Sequence, residues 1–165
     1  MNLSIVVMGV SGCGKSTLGK LIAEELALPF VEGDDLHPVQ NIRKMEAGHP
    51  LDDDDRVEFL RNVGEAIATH SETGVVVSCS ALKRAYRDTL RSYNGSLRFV
   101  MAEISREVLM SRLAERKGHF MPASLLESQL AILERPDDNE AALFVDGLLP
   151  PVDQVSALVK QLQDC

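Results

Sequence analysis

The sequence predicts an α/β fold in one domain: a five-stranded parallel sheet flanked by helices, forming a three-layer sandwich. Three observations predict it. The chain has 165 residues, close to the ~150 typical of one domain. Short β-branched runs alternate with longer stretches of helical period, as in βαβ units around a parallel sheet. The first of these runs is continuously apolar, as expected of a strand buried on both faces.

Each element has its own signal. Ser4 to Met8 is the first strand, and Leu18, Leu21, Ile22 and Leu26 then recur at helical spacing. Pro29 to Glu32 is a short second strand. Asp52 to His70 reads as a helix, with Val57, Leu60, Val63, Gly64 and Ile67 on one stripe. Asp55 and Glu58 have capping-box spacing near its start. Gly74 opens a third strand, Val75 to Ser78, and Ala81 to Arg91 is a short basic helix. Leu97 to Met101 is a fourth strand and Arg106 to Arg116 a helix. Gly118 and Pro122 bracket a loop before a helix over Leu125 to Leu133. Ala142 to Asp146 is the fifth strand and Val152 to Leu162 the closing helix.

Composition excludes several functions. Lys and Arg number 17 against 25 Asp and Glu, a net charge of −8. So acidic a chain is a poor non-specific binder of nucleic acid or anionic membrane. No apolar stretch approaches the ~18 residues that span a bilayer. Three cysteines, Cys13, Cys79 and Cys165, without an export signal fit reduced thiols in the cytoplasm. An anionic ligand would require cations concentrated locally.

Gly9-Val10-Ser11-Gly12-Cys13-Gly14-Lys15-Ser16 matches the phosphate-binding P-loop pattern, between a buried strand and a helix as that motif requires. Its backbone amides, from Gly9 through Ser11, Gly12, Cys13, Gly14 and Thr17, are expected to wrap phosphate oxygens. The helix N-terminus adds partial positive charge. Lys15 should reach the β- and γ-phosphates of ATP, and Ser16 should hold Mg²⁺. Cys13 fits the loop as a small side chain rather than as a redox group. No GTPase base-reading motif occurs, and the third strand ends without a carboxylate. A small P-loop phosphotransferase remains, in which a compact acceptor site faces the P-loop.

Ligands in such sheets sit at the carboxyl ends of strands. Glu32, Asp34 and His37 follow the second strand there. Asp34 is the expected general base, or the group that orients the attacking hydroxyl. Glu32 is expected as a second-shell Mg²⁺ partner. His37 either bonds a substrate hydroxyl or stabilises the Asp34 turn.

Longer segments carry a resemblance. Gly33-Asp34-Asp35-Leu36-His37-Pro38, Asn41, Lys44-Met45, Gly48-His49-Pro50-Leu51 and Asp53-Asp54-Asp55-Arg56 resemble the gluconate kinases. So do Cys79-Ser80-Ala81-Leu82-Lys83, Tyr86-Arg87-Asp88, Arg116-Lys117-Gly118-His119-Phe120, and Ser128-Gln129. The resemblance covers nearly the whole chain. It implies transfer of the ATP γ-phosphate to the 6-hydroxyl of D-gluconate, in gluconate catabolism, by a homodimer. One departure is Val57-Glu58-Phe59, where the family usually has a Pro-Trp pair after the arginine; Phe59 keeps the bulk.

Gluconate needs a cation for its carboxylate. Arg56 is the first choice, because guanidinium binds carboxylate bidentately; its alternative is pairing with Asp52 to Asp55. Lys83 and Arg87, four apart on one helix face, are expected beside phosphate and substrate. Arg112 and Arg116 are expected at the nucleotide, with Arg116 neutralising charge on the transferring group. Lys117 and His119 are expected at the substrate. Together they suggest a short lid over residues 116–124 that excludes water. Alternatives are a different small-molecule kinase, such as a shikimate-type enzyme, or a nucleotide-gated binding module.

Overall fold

The structure, a computed structural model, describes residues 2–115 and 123–164. Five strands form one sheet in the order β2-β3-β1-β4-β5, every neighbouring pair parallel. They are β1 (Ser4–Met8), β2 (Phe30–Glu32), β3 (Val75–Ser78), β4 (Arg98–Glu103) and β5 (Leu143–Asp146). The helices are α1 (Lys15–Glu25), α2 (Val39–Glu46), α3 (Asp53–Thr69), α4 (Arg84–Arg91), α5 (Arg106–Glu115), α6 (Ala123–Ile132) and α7 (Pro151–Gln163). Single 3₁₀ turns cover Gly33–Leu36 and Asp138–Glu140.

The two-residue period of β1 builds two cores. Ile5 and Val7 pack on Leu18 and Ile22 of α1 and on Val155 and Leu158 of α7. Val6 and Met8 face Phe59, Leu60 and Val63 of α3, with Leu90 of α4 and Leu109 of α5. Every β1 residue is buried, so its unbroken apolar run is what a central strand needs. A third, small cluster joins Met45 of α2, Leu51 and Leu125 of α6.

Three features differ most from expectation, two of them for local reasons. α2 is an element the sequence reading lacked. α4 begins at Arg84 rather than Ala81, because Ala81 takes a left-handed φ of 43° and Lys83 is extended. The capping box of α3 lies one turn earlier than expected. Asp52 is the N-cap, its side chain accepting from Asp55 N while Asp55 accepts from Asp52 N. Buried Leu51 anchors the chain just before that cap.

Candidate active site

The strands deliver their carboxyl ends to one cavity. Its floor is the P-loop, contributing Ser11, Gly12, Gly14, Lys15, Ser16 and Thr17. Its far wall is Asp34, His37, Met45, Leu51 and Arg56, and Ser80 and Gln129 close the sides. Among the P-loop residues, Gly9, Gly12 and Gly14 have φ of 131°, 85° and 85°, values that turn amides inward and that a side chain disfavours. Gly14 caps α1, whose first residue is Lys15. The Lys15 ammonium folds back and donates to Val10 O at 3.0 Å. The Ser11 amide donates to Gln129 Oε1 at 2.8 Å.

The acceptor wall is set by a close approach. Gly33 follows β2 directly, and a Cβ there would lie 1.8 Å from Ser78 O. Only glycine lets the chain turn at that point and present Asp34 to the cavity. Glu32, at the end of β2, accepts from Ser78 Oγ at 2.5 Å; it does not line the cavity. His37 stacks on Phe59 with ring centroids 3.7 Å apart. Asn41 Nδ2 bonds Asp55 O at 2.8 Å and His37 Nδ1 at 3.3 Å. An amide nitrogen can only donate, so Nδ1 accepts and the ring proton lies on Nε2. Burial drives the His37 pKa down to about 4, against the opposing pull of Asp34, so the ring is neutral near pH 7. His37 therefore both packs the turn and offers a donor. Phe59 supplies the stacking face at the departure from the Pro-Trp pair.

Arg56 is buried at 8% exposure yet lines the cavity. Its Nη1 donates to Tyr86 Oη at 3.2 Å, and its guanidinium lies 5.5 Å from the Tyr86 ring centroid. The expected alternative, pairing with Asp52 to Asp55, is not what the structure has. Lys44 pairs with Asp52 and Asp55. Asp53 accepts from Lys83 at 2.9 Å and from the Tyr86 hydroxyl, bonds that hold its carboxyl below the usual range, Tyr86 contributing most. Among the described residues Arg56 has no carboxylate partner.

Two expected substrate contacts are corrected. Arg87 is fully buried. Its Nε and Nη2 donate to Glu140 Oε1 and Oε2 at 2.7 and 2.9 Å, and Nη1 donates to Ala81 O and Leu82 O. The shared helix face fails because Lys83 precedes the helix while Arg87 turns into the core. Lys83 is the N-cap residue of α4, sits on Asp53 and does not line the cavity. Arg112 also lies off the cavity, its Nη2 donating to Gly147 O at 3.1 Å. Arg116, Lys117 and His119 lie outside the described residues, as does the expected lid through residue 122; Ala123 already opens α6. Cys13 is buried in the loop at 5% exposure. Burial pushes the Cys79 thiol up to about 12, which leaves it unreactive.

The sequence reading missed Gln129, Ser80 and Tyr86 as site residues. Ser128-Gln129 and Tyr86 stood in the quoted motifs, but nothing local assigns them a partner. No group of three or more His, Cys, Asp or Glu fit to hold a metal occurs among the described residues. No described helix is long and apolar enough to cross a membrane.

Comparison with known proteins identifies the family. Residues 11–140 match the family model described as shikimate kinase. A probable gluconokinase of Schizosaccharomyces pombe is 50% identical, covering 82% of this chain and 74% of its own. The gluconokinase of Gluconobacter oxydans is 44% identical over 96% of this chain and 90% of its own. The crystal structure of a gluconokinase from Sinorhizobium meliloti superposes with a TM-score of 0.84 at 49% identity, covering 97% of this chain and 95% of that one. The shikimate kinase model describes the wider fold group, and relatives this similar narrow it: the chain belongs to the gluconokinase family.

Proposed function

We propose that this protein transfers the γ-phosphoryl group of ATP to the 6-hydroxyl of D-gluconate, yielding 6-phosphogluconate and ADP. The observation that carries the reading is one cavity holding both halves of the chemistry. A P-loop with Lys15 and Ser16 shares a cavity with Asp34 and buried Arg56, which has no carboxylate partner among the described residues. Gluconate supplies the missing carboxylate.

In this reading the gluconate carboxylate pairs with Arg56 and the chain of hydroxyls runs past His37 Nε2 to Asp34. Asp34 orients the 6-hydroxyl and receives its proton as the new O6–phosphorus bond forms. The bond from the γ-phosphorus to the β,γ-bridging oxygen breaks, and its electron pair leaves with ADP. Lys15 and the loop amides hold the charge that develops on the phosphate oxygens; positioning of this kind is the main catalytic term in phosphoryl transfer. Mg²⁺ fits a site with Ser16 as its one protein ligand, since it keeps waters and phosphate oxygens around it, and when bound it neutralises phosphate charge. Glu32, turned onto Ser78, reaches such an ion only through water. Arg112, Arg116, Lys117 and His119 belong to the nucleotide and lid side of the same reading. A homodimer, implied by the family resemblance, is checked by light scattering on the purified protein.

The test is ADP release with a panel of acceptors. Turnover with gluconate, and none with shikimate or a nucleoside monophosphate, is expected. Shikimate turnover without gluconate turnover overturns the substrate, and ATP binding without any acceptor-stimulated ADP release makes the protein a binding module.

A further inference from the structure

Gln129 of α6 is 118 residues from the P-loop in sequence and bonded to it in space. Because a backbone N–H can only donate, the atom on Ser11 is Oε1, which fixes the orientation of the carboxamide. Its other end, Nε2, donates to no described residue, although Gln129 is partly buried and lines the cavity. The transferring phosphoryl group must lie between the P-loop and Asp34, and Gln129 lines the same cavity as both. Held at the Ser11 amide, Gln129 borders the space that this group would occupy.

We propose that Gln129 is a γ-phosphate contact: Oε1 holds the Ser11 amide in place while Nε2 donates to an oxygen of the transferring phosphoryl group. A neutral donor suits this place, because it meets anionic oxygen without adding a cation to pair with Asp34 in the same cavity. The inference rests on the reading of the cavity as the ATP site and deepens it by assigning this glutamine a ligand. It also predicts that the site distinguishes ATP from ADP through α6.

The experiment compares Gln129→Glu with the wild type. Glutamate keeps an acceptor for Ser11 but replaces the Nε2 donor with anionic oxygen. Affinity for the non-hydrolysable β,γ-imido analogue of ATP should fall by at least ~10-fold, the scale of one charge-assisted hydrogen bond. ADP, which lacks the γ-phosphate, should bind within about threefold of wild type, on the same scale. Equal weakening of both nucleotides, or of neither, overturns the proposal. A second measurement needs no variant. In wild-type protein the Gln129 side-chain amide resonance should move when the ATP analogue is added and stay put with ADP; the same response to both nucleotides, or to neither, also overturns it. Wild-type ADP release with gluconate tests the functional reading separately. If gluconate is not turned over but the two nucleotides are still distinguished, the substrate assignment fails and the Gln129 contact stands.

Discussion

Arg56 and Arg87 are both buried arginines on helices at the carboxyl end of the sheet, and they differ in one respect. Arg87 meets both oxygens of Glu140, itself almost fully buried, and two backbone carbonyls. Its donors are used and its charge is compensated within the chain. Arg56 meets a tyrosine hydroxyl and an aromatic face and has no carboxylate partner among the described residues. A buried cation costs several kcal/mol of desolvation unless paired. A compensated arginine is thus part of the fold, and an uncompensated one facing a cavity is the candidate for binding an anionic group. Arg87 ties the turn carrying Ser80 and Ala81 to the 3₁₀ turn of Glu140, so it acts on the site only by holding it in shape.

The largest effect should come from Arg87→Met, which removes the bidentate partner of buried Glu140 and leaves it only the partly exposed Arg91 as an ion-pair partner. Unfolding in urea should show a loss of about 3–5 kcal/mol, while KM for gluconate in the folded fraction stays near wild type. The double variant Arg87→Met/Glu140→Leu should recover most of that stability. A large rise in KM with stability intact would place Arg87 at the substrate after all.

Arg56→Met should do the reverse. Losing one charge-assisted bidentate contact of roughly 3 kcal/mol should raise KM for gluconate by about 100-fold, with ADP affinity and unfolding midpoint little changed.

Acid sharpens the contrast on the Arg87 side. Hydrogen bonds from Arg87 hold the Glu140 carboxyl down from 4.5 to about 2. A carboxylate depressed in the folded state stabilises fully above its unfolded pKa and stops doing so as pH falls through the folded one. The pair should therefore contribute roughly 3 kcal/mol above pH 4.5 and lose it towards pH 2. Urea midpoints of wild type should fall across that window by more than those of the double variant. His37 adds a loss of similar size that starts higher. Its depressed pKa means the unfolded state gains a proton first, so stability declines between about pH 6.5 and 4.

The smallest effect belongs to Tyr86→Phe, which removes the hydroxyl between Arg56 and Asp53. Arg56 keeps its aromatic face but loses a hydrogen bond of about 1 kcal/mol. KM for gluconate should rise about fivefold at nearly constant kcat; a fall in kcat alone would show that the tyrosine acts on the transferring group.

Features with local signatures were legible in the sequence. The P-loop, the buried run of β1 and the Gly33-Asp34 turn each follow from neighbouring residues, and all five strands lie where alternation put them. α2 was missed although Val39, Ile42 and Met45 recur three apart, because a helix of only 8 residues gives too short a period to stand out. The roles of the two arginines were not separable. Arg87 and Glu140 are 53 residues apart, and no single sequence displays a pairing of that range. Gln129 was opaque for the same reason, with its partner 118 residues away. Arg56 was proposed for the carboxylate only once the family resemblance had supplied a carboxylate-bearing substrate.

The most direct measurement is a crystal structure with the β,γ-imido ATP analogue and gluconate bound together. The account predicts the gluconate carboxylate on the Arg56 guanidinium, and the 6-hydroxyl against Asp34 and in line with the γ-phosphorus. Gluconate bound in the opposite sense, with its carboxylate at the P-loop end or its 6-hydroxyl away from Asp34, would contradict it.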